Sequence, residues 1–252
     1  MQGVLANKNV IYRLEVAGAD YCQGDQLCCA LTVENVAVDP VVINTPCLRL
    51  VVADLKKVKN RDPAAYAEEI ASAACPAEIT LAGKEKSRVA WDLTLDRNCV
   101  ISDKHQTLCF VYGSDASTES LGQLPAVVSP HKQIQGIAAI FESPFQFVPK
   151  GQRSNDGWVE LKFKPPASKQ LALVEELLAQ LRFSAEALQM RYLFKVKTFD
   201  ATETAVKVGK TKSMVEQSLE PRQYMLTSDH LNHDYLESQI GAALKTVSTS
   251  MT

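Results

Sequence analysis

Residues 10–16, VIYRLEV, and 27–34, LCCALTVE, alternate in polarity with a period of two. That period constrains the fold more than any other feature of the chain. Successive side chains of an extended strand point to opposite faces, so Val10, Tyr12, Leu14 and Val16 share one face while Arg13 and Glu15 share the other. In the second run Leu27, Cys29, Leu31 and Val33 take the inward positions, and Cys28, Ala30 and Thr32 point outward. The turn formers of GADYCQGD, ending in Gly24-Asp25, separate the two strands.

Adjacent Cys28 and Cys29 therefore face opposite ways, a poor geometry for holding one ion. The seven cysteines, Cys22, Cys28, Cys29, Cys47, Cys75, Cys99 and Cys109, are odd in number and lie in the first half. In a secreted chain one thiol would be left unpaired, whereas in a reducing cytosol cysteine serves as a small buried hydrophobe. No C-x-x-C pair occurs, and His105 and Cys109, four residues apart on a strand, would be separated by about 13 Å, too far for proton transfer. The thiols are expected as packing residues.

Further strands are expected at 47–54, 77–81, 88–95 and 106–112. A helix is expected over 62–71, where Asp62 caps, Pro63 takes the first helical position and acids follow. Several short strands with one helical excursion predict an antiparallel sandwich of immunoglobulin-like size. After it, QIQGIAAIFE (133–142) places Ile134, Ile137 and Phe141 at helical spacing. Strands are expected at 145–148 and 157–164, with a loop at 150–156 between them. The leucine-rich stretch 168–181 predicts a helix, 188–199 and 204–210 a strand pair, and Leu236, Ile240, Leu244 and Val247 mark a terminal helix. With 252 residues, of which 46% are hydrophobic, two domains are expected. They are 1–125, a β-sandwich, and 143–252, β-rich with the terminal helix, joined by a connector at 126–142.

A net charge of −2 with 22% charged residues supplies no broad basic field, so nucleic acid is not expected as a partner. No run approaches the roughly 18 apolar residues of a membrane span, and a cytoplasmic location is expected. His230 and His233, three residues apart, could meet one metal on a helix, but the H-E-x-x-H pattern is missing, and a solvated helix start is the expected role. Phosphate-cradling glycine loops are absent. Trp91 and Trp158 could serve a carbohydrate-binding module, although Trp91 lies within a strand pattern that places it in the core. Lys207, Lys210 and Lys212 lie near Lys195 and Lys197 and could form a basic strip, or the outward face of an edge strand.

The segment LEVAGADYCQGDQLCCALTVE (14–34) resembles the opening hairpin of arrestin-like N-terminal domains, with Gly24-Asp25 in the place of the Gly-Glu or Gly-Asp of that turn. LPAVVSPH (124–131), FQFVPKG (145–151), GWVELKF (157–163) and LESQIGAAL (236–244) are similar, in order, to stretches of the bacterial sporulation-control (SpoOM) family. The stretch 171–188 fits that pattern poorly. The resemblance implies a mainly β, arrestin-like fold of two antiparallel β-sandwich domains with a few short helices. It also implies a non-enzymatic adaptor or regulator without cofactor or metal, binding other proteins through sheet edges, an interdomain groove or the terminal helix. The expected contact residues are Lys195, Lys197, Lys207, Leu236, Ile240 and Leu244. The alternatives are a thiol- or metal-dependent hydrolase or transferase, and a carbohydrate-binding sandwich.

Overall fold

In the computed structural model, which describes residues 1–114, 121–201 and 206–249, the alternating run at 10–16 is strand β2 (Val10–Val16). It pairs antiparallel with β1 (Gln2–Asn7) and with β4 (Gln26–Asn35), and β4 pairs with β9 (Lys86–Thr94), giving a sheet ordered β1-β2-β4-β9. A five-stranded sheet combines β3 (Asp20–Cys22), β11 (Gly122–Ser129), β10 (Gln106–Ser114), β6 (Pro46–Asp54) and β7 (Glu68–Ser72) in that order. The β3–β11 pair is parallel, unlike its antiparallel neighbours. A small third sheet pairs β5 (Val41–Asn44) with β8 (Glu78–Leu81).

The alternation explains why the first two sheets stack. Tyr12, Leu14, Leu27, Leu31 and Val33 of one form a single buried cluster with Leu48, Leu50, Leu108, Phe110 and Tyr112 of the other, and each such side chain contributes about 1.5–3 kcal/mol by leaving water. The turn between β3 and β4 is built by Gly24-Asp25. Gly24 adopts a φ of 88°, and the Asp25 carboxylate accepts from the Cys22 N–H at 2.7 Å. Ala30, expected to face outward, is buried.

Strands β6 and β10 are buried on both faces. Their second face, Val51, Ala53, Cys109 and Val111, lies under Val58 and Tyr66. Val58 belongs to helix α1 (Leu55–Lys59), whose cap is the Asp54 side chain. Tyr66 ends a single 3-10 turn, Pro63–Tyr66, capped by Asp62 as expected. The helix expected over 62–71 stops there, because residues from Glu68 onward pair with β6 as the edge strand β7. Ladder hydrogen bonds to a formed sheet outweigh the weak helical preference of a short acidic segment.

The chain divides into two compact units, Met1–Ser129 and Pro130–Thr252. Residues 126–129, part of the expected connector 126–142, complete β11 in the first unit, and helix α2 (Lys132–Glu142) opens the second. There, β12 (Val148–Asn155), β13 (Trp158–Lys164), β14 (Val174–Phe183), β15 (Leu188–Ala201) and β16 (Val206–Leu219) form an antiparallel meander in chain order. Helices α3 (Pro221–Tyr224) and α4 (His233–Thr249) follow. Phe141 of α2 stacks on Phe163 of β13 with ring centroids 5.0 Å apart, and Gln217 of β16 donates to the Gln239 carbonyl of α4 at 3.0 Å. The two long helices therefore cover one face of the meander.

Three expectations fail in this unit. The segment 168–181 holds a 3-10 turn, Lys169–Leu171, and then strand β14 instead of a helix. Leu177, Ala179, Leu181 and Phe183 are buried in alternation, and pairing with both β13 and β15 overrides the helical spacing of the leucines. The loop expected at 150–156 is most of edge strand β12, whose mainly exposed residues supply no apolar alternation. Of the strand expected at 145–148, Val148 alone lies in β12, while Phe147 packs edge-on against Phe141 and Phe163.

Candidate functional site

The register of the meander determines which charges meet on its face away from the helices. Lys195 of β15 stands opposite Lys212 of β16, and Lys197 opposite Lys210. Directly opposed like charges destabilise a strand pair. The chain offsets this with a β-bulge in β14, between Val174 and Glu176, which places Glu175 beside the lysines. The Glu175 carboxylate lies 3.0 Å from Lys210 Nζ and 3.9 Å from the ammonium groups of both Lys195 and Lys197. The hydrogen bond from Lys210 is the main influence holding the Glu175 carboxyl below its usual range; partial desolvation opposes it, and attraction to Lys210, Lys195 and Lys197 adds to it. Its neighbour Glu176 is taken by Lys162 at 2.7 Å.

Toward the other end of the same face, Glu160 is almost fully covered, with 2% exposure. Desolvation alone would raise its pKa, but hydrogen bonds from Asn155, Arg153 and Gln180 prevail and hold it below the usual range. Arg153 Nε lies at 2.5 Å, Gln180 Nε2 at 2.8 Å and Asn155 Nδ2 at 3.1 Å. Beside this group, Arg182 and Arg191 lie over the Trp158 ring at 4.5 and 4.3 Å, and Arg191 is paired with Glu216 at 2.5 Å. Trp158 is therefore roofed by guanidinium groups and does not offer the open ring that sugar stacking requires.

Of the residues expected to contact a partner, Lys195 and Lys197 come together, with Lys210 and Lys212 beside them. Lys207 lies on β16 opposite Asp200, and its side chain falls outside the described residues. Leu236, Ile240 and Leu244 are not brought to this surface. They are buried on α4 with Ala243 and Val247, so the terminal helix uses its apolar face for the core of its own unit. Sequence reasoning missed Glu175, because the expected helix hid it. The alternation from Leu177 to Phe183 signals the strand, but continued back to 175 it would put Glu175 on the buried face, and only the bulge turns that carboxylate toward the lysines.

The histidines and thiols occupy ordinary structural positions. His230 sits in the turn before α4 with Nδ1 2.9 Å from Thr227 Oγ1, while His233 is the first residue of the helix, so the two do not share a helical face. The cap is Asn232, whose Oδ1 accepts from the Tyr235 N–H at 3.3 Å. Cys29 is buried and its Sγ lies 3.2 Å from the Trp91 carbonyl, whereas Cys28 is exposed opposite Asp92. Hydrogen bonding to the Asp92 carboxylate is the main influence raising the Cys28 pKa. Burial, as the main cause in each, pushes Cys29 up to about 11, Cys99 to about 12 and Cys109 to about 11. Near neutral pH such groups are thiols, not the thiolates that attack substrates.

No protein-family model matches the chain, and no curated protein matches it. Solved structures do. The crystal structure of Spo0M, the sporulation control protein from Bacillus subtilis, superposes with a TM-score of 0.64 at 13% sequence identity, covering 95% of this chain and 99% of that one. A β-glucosidase from Listeria innocua in complex with isofagomine gives a TM-score of only 0.30 at 13% identity, over 48% of this chain and 16% of that one, too weak to bear on either fold or activity. The chain is mainly β and has the arrestin-like fold of the sporulation control protein Spo0M.

Proposed function

We propose that the chain is a non-enzymatic regulatory or adaptor protein of the sporulation-control type, acting in the cytoplasm by binding another protein. The binding surface in this reading is the outward face of β15 and β16 around Lys195, Lys197 and Lys210. One observation carries it: Lys195, Lys197 and Lys210, from two neighbouring strands, gather around the carboxylate of Glu175, with Lys212 opposite Lys195 on the same face. That arrangement leaves excess positive charge on one face of the sheet, complementary to a protein surface rich in carboxylates. The raised thiol pKa values support the adaptor over a thiol-dependent hydrolase or transferase. The small extent of the positive field, on a chain of net charge −2, favours a protein partner over nucleic acid.

The test is affinity capture from the source cell with tagged wild type and with a Lys195→Glu/Lys197→Glu variant, compared by quantitative mass spectrometry. The reading expects a protein enriched by the wild type and depleted at least several-fold with the variant. Equal enrichment by both proteins, or enrichment of none, contradicts it.

A further inference from the structure

Strand β16 is the last strand of its sheet and pairs with β15 alone among the described strands. The side chains it shares with the lysine-bearing face are, in order, Lys210, Lys212, Met214, Glu216 and Ser218, all exposed. Reversed about Met214, this order is complementary to itself. Lys212 then falls opposite Glu216, Met214 opposite Met214, and Lys210 opposite Ser218. Moving the centre by two residues to Lys212 would set Lys212 against Lys212, and moving it to Glu216 would set Glu216 against Glu216.

We propose that two copies of this chain pair antiparallel along β16, about a two-fold axis at Met214, so that the five strands of each copy form one continuous sheet. Such an axis runs perpendicular to the sheet, so the lysine faces of both copies lie on the same side and the helices on the other. The interface is closed, the same strand meeting itself, and leads to a dimer instead of a fibre. Three features within one copy point to it. Lys212 confronts Lys195 across the β15–β16 pair, an unfavourable opposition that the carboxylate of Glu216 from a second copy relieves. Glu216, already held by Arg191 at 2.5 Å, becomes a bridge between two cations. Met214, a large apolar side chain left 58% exposed on an edge, is covered by its counterpart. A long edge strand left open is a template for uncontrolled pairing, and a self-complementary charge order directs it into one register.

This inference does not rest on the partner proposed above, since it concerns the edge of the sheet and not its face. Sedimentation equilibrium of the full chain tests it, using wild type, Glu216→Lys, Lys212→Glu and the double reversal Lys212→Glu/Glu216→Lys. The wild type dimerises below about 100 µM, each single reversal raises the dissociation constant roughly tenfold or more, and the double reversal, again self-complementary, restores dimerisation. A monomeric wild type, single variants that dimerise like the wild type, or a double variant that stays monomeric each overturns the proposal. A Met214→Cys variant reads the register independently of charge. Mild oxidation should link the two introduced thiols across the axis, as mapped by peptide mass spectrometry, and no link between them in a folded protein overturns the assigned axis.

Discussion

Lys195 faces Lys212 across the β15–β16 pair, and Lys195 Nζ lies 3.9 Å from Glu175, a residue that reaches it from a bulge in the next strand. One carboxylate thus holds together a cluster that would otherwise repel itself. It also leaves that cluster with a surplus of positive charge.

Replacing Glu175 with Gln removes the counter-ion while keeping the shape of the side chain. The variant is expected to unfold at a lower urea concentration than wild type in dilute buffer, and the difference should shrink in 1 M NaCl as the lysines are screened. The sign with pH follows from the depressed carboxyl. Its contribution to stability is present above the ordinary carboxylate range and is lost as pH falls through the lowered folded-state value. Below that value wild type and variant should converge. Urea titrations at a series of falling pH values from pH 7 check this, the gap between the two proteins narrowing as the pH drops.

Leu177 and Leu178 distinguish a strand from a helix at the place where the two readings diverge. In β14, Leu177 is fully buried and Leu178 lies half-exposed on the opposite face. Leu177→Ala is expected to cost about 2–5 kcal/mol and Leu178→Ala about 1 kcal/mol or less, measured by denaturant unfolding. Equal costs would contradict the alternation.

Glu160→Ala strips a nearly buried site of the acceptor that Arg153, Asn155 and Gln180 share. The expected loss is about 1–3 kcal/mol, moderated because Arg153 is half-exposed and can turn to water. Wild-type stability from this group is likewise present above the ordinary carboxylate range and declines as pH falls through its lowered folded-state value. Thermal melts of wild type and variant from pH 7 to pH 3 measure both effects.

Cys28 is exposed, and its hydrogen bond with the Asp92 carboxylate is the main influence raising its pKa above the ordinary thiol value. Asp92→Asn should speed its alkylation at pH 8 measurably, while Cys29, Cys99 and Cys109 remain protected in both proteins. Peptide-resolved iodoacetamide kinetics read this directly. An unchanged rate would mean that Asp92 does not control the thiol.

The first unit was legible where apolar residues alternate. Val10–Val16 was read to the residue, and Leu27, Cys29, Leu31 and Val33 are buried as their period implied. Terminal α4 and the apolar residues of α2 were legible for the same reason, at helical spacing. Strands β1 and β12 were invisible because they lie at sheet edges without a buried stripe. Strand β14 misled because its leucines satisfy a helical spacing as well as an extended one, and only the strands on either side decide between them. The lysine cluster was half legible. Alternation placed Lys195 and Lys197 on one face, but Glu175 reaches them through a bulge that no local pattern announces. The apolar residues of α4 looked available for a partner because their spacing says they are buried and not against what.

In the proposed function, the lysine face of the C-terminal sheet recognises an acidic protein surface. The most direct measurement of this is the dissociation constant of the captured partner, determined calorimetrically for wild type and for Lys195→Glu/Lys197→Glu across a series of salt concentrations. Charge reversal is expected to weaken binding about tenfold or more, and added salt to weaken the wild-type complex progressively. A constant that responds to neither charge reversal nor salt would contradict it.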